Sequence, residues 1–67
     1  MSVAKITEIT STSERSFDEA VQDGIERAGK TLHGITGAWI SDQEVVVEEG
    51  VITLYKVRLR VTFVLDS

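Results

Sequence analysis

The chain has 67 residues, no cysteine, no proline and a net charge of −4, with a pI near 4.8. One domain spanning residues 1–67 is expected; a domain this small buries little of its surface, and without disulfides or thiolate metal sites self-association is the remaining route to stability. The acidic balance argues against a nucleic-acid partner, and apolar runs such as Val45–Val47 are far too short to span a membrane. No basic, apolar leader opens the sequence, so a cytoplasmic location is the expectation.

Residues 3–10, "VAKITEIT", are rich in β-branched side chains and partly alternating, which predicts a short strand. The small polar run "STSERS" that follows is typical of a helix start. Ser16 and Glu19 have the spacing of a capping box, and Ser11 with Glu14 fits the same pattern. Beyond it Phe17, Ala20, Val21, Ile25, Ala28 and Leu32 recur at helical spacing and form one apolar stripe. Asp23 with Arg27 and Glu26 with Lys30 stand in the favourable i,i+4 orientation on the opposite face. Gly24 weakens the middle of this helix unless close packing requires it, and Gly29 or Gly34 ends it.

Residues 37–48 and 51–65 read as two further strands joined by a turn in "EEG". On the last strand the odd positions from Val51 to Leu65 are almost all apolar or aromatic, so that row should be buried under the helix stripe. The even row carries Ile52, Leu54, Lys56, Arg58, Arg60, Thr62 and Val64, apolar at its ends and basic in its middle. The order is therefore β-α-β-β, an α+β fold. A helical crossover makes the first two strands parallel and the hairpin makes the third antiparallel, so the third lies centrally in spatial order 1-3-2. The half-apolar second face should meet another copy of the chain.

Nothing here reads as an enzyme. The serines gather where helix capping explains them, His33 sits just past the helix where the dipole favours it, and no pair of carboxylates is singled out by spacing. Neither a GxGxxG nor a P-loop pattern is present. Lys56, Arg58 and Arg60 form a basic row, best read as pairing with acids of a neighbouring subunit, or else as contacting an anionic ligand. Asp42, Glu44, Glu48, Glu49 and Asp66 have oxygen ligands suited to a hard divalent cation, but lack EF-hand spacing and read first as a solvated acidic surface. Trp39 has two placements: beside Arg60 on the open face if the turn is Glu49-Gly50, or beside Leu59 under the helix if it is Glu48-Glu49-Gly50.

The segments "TSERSFDEAVQDGIERAGKTL" (12–32), "GAWISDQ" (37–43) and "YKVRLRVTFVLD" (55–66), at this spacing and order, resemble the dodecins along nearly the whole chain. That resemblance implies a hollow homododecamer, built from this chain alone, that binds and stores a small-molecule ligand. The family ligand is a flavin, riboflavin or FMN. The site it implies is Gly37, Trp39, Tyr55, Lys56 and Arg58. The dodecin pattern has a stacking tryptophan where this chain has Gly37, with Trp39 one same-face step, about 6–7 Å, further along. It also has a glutamine where this chain has Lys56. These departures resemble the flavin-free branch, the calcium dodecins, and imply as alternatives a divalent cation such as calcium or a mainly structural assembly. In the pattern the stacking residue and the glutamine share a ligand and hence a face, which places Trp39 on the side away from the helix.

Overall fold

The computed structural model describes residues 3–65, so Asp66 lies outside the described residues. The elements are β1 (Val3–Ser13), α1 (Phe17–Ala28), β2 (Ile35–Glu48) and β3 (Val51–Leu65). β1 and β2 both pair antiparallel to β3, giving the expected order β1-β3-β2. At about 3.3 Å per residue, β3 alone accounts for most of a subunit 51 Å long and 14 Å thick.

β1 runs three residues further than its sequence suggests, through Ser11, Thr12 and Ser13, which pair with Val57, Lys56 and Tyr55. Those residues were expected to open the helix; ladder pairing to the central strand prevails over their capping propensity. Helix α1 starts instead at Ser16, whose extended backbone and Oγ, accepting from the Glu19 amide at 3.0 Å, make it the N-cap. The reciprocal half of the capping box is redirected. Ser13 Oγ donates to Glu19 Oε2 at 2.7 Å and accepts from the amides of Arg15 and Ser16. Buried Ser13 thus ties the end of β1 to the first turn of α1. The helix ends at Gly29 in a right-handed conformation, and the left-handed glycine is Gly34, φ +76°, where the chain enters β2.

The core is small. Ala20 of α1 and Val57, Leu59 and Val61 of β3 have no exposed surface, and Ile9, Phe17, Val21, Ile25 and Ile35 pack around them. Gly24 is buried where a Cβ would come within 3.0 Å of Ser11 Cβ and 3.3 Å of Leu59 Cδ1. Close approach of α1 to the sheet therefore explains a glycine in mid-helix. The helix packs on β1 and β3. β2 is left uncovered and is exposed from Thr36 to Glu44.

The hairpin turn is Glu49-Gly50, both with positive φ (50° and 79°), and Glu48 opposes Val51. This is the two-residue turn whose left-handed positions match strand twist. The ladder beyond it is not uniform. Thr53 on β3 has no direct partner, nor do Ser41 and Thr36 on β2. The Thr53 bulge corrects the expectation of one unbroken odd-numbered face on β3: Ile52, not Thr53, opposes Val47, so the alternation inverts near the turn.

Leu59→Ala is expected to lower unfolding free energy by about 2–4 kcal/mol, read as a fall in the urea midpoint at unchanged slope.

Candidate functional site

Directly opposed residues of an antiparallel ladder project to the same side. Leu59 lies under the helix, so its neighbours Arg58 and Arg60 lie on the other side. Trp39 opposes Arg60, Gly37 opposes Thr62, Asp42 opposes Arg58 and Glu44 opposes Lys56. Gly37, Trp39, Asp42 and Glu44 therefore all stand on the open face with the basic row. The Ser41 bulge makes this so. By strict alternation Trp39 and Asp42 would point to opposite sides; the extra residue between them returns both to one face.

Trp39 is 70% exposed and lines a shallow recess of about 250 Å³ with Ile40, Ser41 and Arg60. A Cβ placed on Gly37 would meet nothing within 4 Å, so the position the dodecin pattern gives to its stacking tryptophan is open space here. Lys56 and Arg58 share the face but are drawn to β2. Lys56 Nζ lies 3.2 Å from Glu44 Oε1, and Arg58 Nη1 donates to Asp42 Oδ2 at 3.4 Å. Arg60 Nε lies 3.5 Å from Glu8 Oε2 on β1. Within one subunit the basic row thus faces cross-strand acids of the same chain: the Ser41 bulge and the β1 pairing bring three carboxylates beside three bases. At this exposure each pair contributes about 0–1 kcal/mol. Their larger effect is a polar face with its charges balanced locally.

Tyr55, also expected in the site, is not brought to the others. It lies on the helix side, edge-on to Phe17 with ring centroids 5.1 Å apart. Of the expected acidic positions, Glu48 and Glu49 sit at the hairpin end. No group of three or more His, Asp or Glu able to hold a metal occurs among the described residues. Two participants escaped the sequence reading. Ser41 and Glu8 are ordinary polar strand residues, and only the register shows that one is a bulge beside Trp39 and the other the counter-ion of Arg60. A second open groove, about 620 Å³, runs between β1 and α1, its lining including Ile9, Ser11, Asp23, Arg27, Ala28 and Leu32.

Known proteins share this architecture. The dodecin family model matches residues 3–66. The calcium dodecin of Mycobacterium tuberculosis is 30% identical over 63 residues, covering 94% of this chain and 89% of that protein. Its solved structure, described as a calcium-chelating antigen with a novel calcium-binding site, superposes with a TM-score of 0.82 at 28% identity, covering 91% and 87% of the two chains. The dodecin from Streptomyces davaonensis superposes at 0.93 with 30% identity, covering 98% of this chain and 97% of that one. A variant of T. thermophilus dodecin gives the same TM-score and identity over the full length of both. The match over almost the whole sequence, with the same strand order and helix placement, makes this chain a member of the dodecin family.

Proposed function

We propose that this chain is the subunit of a hollow homododecamer in the cytoplasm, which holds a planar aromatic ligand of flavin type without transforming it. Dodecins are ligand-binding and storage proteins, and the dodecamer is their known assembly. Trp39 carries the reading. A large indole left 70% exposed on a polar, charge-balanced face forfeits the stabilisation its burial would bring. Such a residue fits a surface that another molecule covers, and its flat face suits an aromatic ring system. Gly37 keeps the neighbouring position open, and Lys56 and Arg58 supply hydrogen-bond donors along the same side. Tyr55 acts from behind, holding β3 against Phe17.

A second reading, binding of a divalent cation such as calcium, is favoured by the calcium dodecin relative. In this chain Asp42 and Glu44 already face bases, so a cation site would draw carboxylates from more than one subunit.

Riboflavin titrated into the purified assembly is expected to lose fluorescence at micromolar protein, and Trp39→Ala to abolish most of that quenching. Quenching that survives in the variant would remove Trp39 from the site, and its absence in the native protein would remove flavin. Gly37→Trp should raise flavin affinity by about two- to tenfold, because a second stacking ring in open space adds about 0.5–1.5 kcal/mol. For the cation reading, the melting temperature should rise with added calcium and fall with chelator; no shift in either direction sinks it.

A further inference from the structure

The recess beside Trp39 holds more chemistry than stacking requires. Along the basic row the β2 ladder positions read Glu44 against Lys56, Asp42 against Arg58, and Trp39 against Arg60. The first two bases each have an acid of β2 opposite and pair with it. Where a third acid would stand there is an indole, so Arg60 turns the other way, to Glu8 on β1. That contact is loose, Nε to Oε2 at 3.5 Å, with the two side chains 54% and 50% exposed. A guanidinium has five N–H donors in a planar fork suited to an oxyanion, and here its β2 side opens onto the recess. The fourth lining residue, Ser41, is the bulge residue without a ladder partner, and its hydroxyl is a further, neutral donor.

Resting on the reading of Trp39 as the stacking platform, we propose that Arg60 makes this recess selective for a planar aromatic ligand carrying a phosphate monoester, with Glu8 as the internal counter-ion that the phosphate displaces. A neutral ligand stacks on Trp39 and leaves the Arg60–Glu8 pair in place. A phosphorylated one also takes Arg60 from Glu8 and gains a charge-assisted contact. The chain as a whole carries −4 and repels anions, so the preference depends on this one local cation and weakens as salt screens it.

Riboflavin and FMN differ by one phosphate and serve as the probes. Both are titrated at low salt into the native assembly, Arg60→Gln and Glu8→Gln, following flavin fluorescence, with circular dichroism and light scattering confirming fold and size. FMN is expected to bind the native protein about tenfold more tightly than riboflavin, the weaker end of a charged hydrogen bond at a half-exposed site. Arg60→Gln should erase that difference while riboflavin binding persists. Glu8→Gln should strengthen FMN several-fold and leave riboflavin unchanged, an independent reading should Arg60→Gln fail to assemble. Equal affinities in the native protein, a preference that survives Arg60→Gln, or no gain in Glu8→Gln would each overturn the proposal while the stacking platform stands. No quenching by either flavin would overturn the platform itself, and the phosphate preference with it.

Discussion

The register of the β2–β3 ladder is the constraint on which the candidate site depends. The Glu49-Gly50 turn sets the pairing at its start, with Glu48 against Val51. The bulge at Thr53 advances β3 by one residue, and the bulge at Ser41 advances β2 by one, so the two cancel before Trp39 is reached. Between them lies a stretch in which Asp42 and Glu44 meet Arg58 and Lys56; beyond it Trp39 meets Arg60. Side chains alternate with period two, so a single uncancelled bulge would turn every later residue of β2 to the other side. The indole would then face the helix side, and the open face would lose its aromatic surface.

The same ladder explains why so small a domain calls for a partner. Its fully buried centre is Ala20 with Val57, Leu59 and Val61, nearly all supplied by β3. Helix α1 lies over β1 and β3, brought close by Gly24, and does not reach across to shield β2. Ile40, on the helix side opposite Leu59, is left half exposed, as are Val47 and Ile52 toward the hairpin end. Apolar surface on both sides of an edge strand is a liability in a monomer. In an assembly it becomes contact area, and bulges and carboxylates along β2 restrict which edge contacts can form. The helix covers β1 and β3 and leaves the apolar side chains of β2, such as Ile40 and Val47, for another copy to cover.

Much of this was legible in the sequence, through features that act locally. The apolar stripe of α1, the Ser16 cap, the strand order and the burial of Val57, Leu59 and Val61 follow from periodicity and crossover rules. The misses share a different origin. Ser11–Ser13 carry helix-start chemistry but extend β1, because their partners lie more than forty residues away on β3. Bulges at Thr36, Ser41 and Thr53 fall at residues unremarkable in any strand, so uniform alternation was the natural assumption and placed the charges poorly. With it, Asp42 and Glu44 would have faced the helix side, away from Arg58 and Lys56. Tyr55 entered the expected site through the family resemblance; as the strand neighbour of Lys56 it points to the opposite side, against Phe17.

Within the family pattern, the displacement of the aromatic residue from position 37 to 39 changes its electrical surroundings as well as its place. At 37 a side chain stands opposite Thr62, a neutral residue; at 39 it stands opposite Arg60 and next to the unpaired Ser41. A platform at 37 would rely on stacking and neutral hydrogen bonds to hold a ligand. At 39 the same indole is set against a cation whose acid partner among the described residues, Glu8, approaches from the far strand at ion-pair distance. The one-step shift, the open glycine and a base held only loosely by Glu8 are consistent with one another if the ligand carries charge.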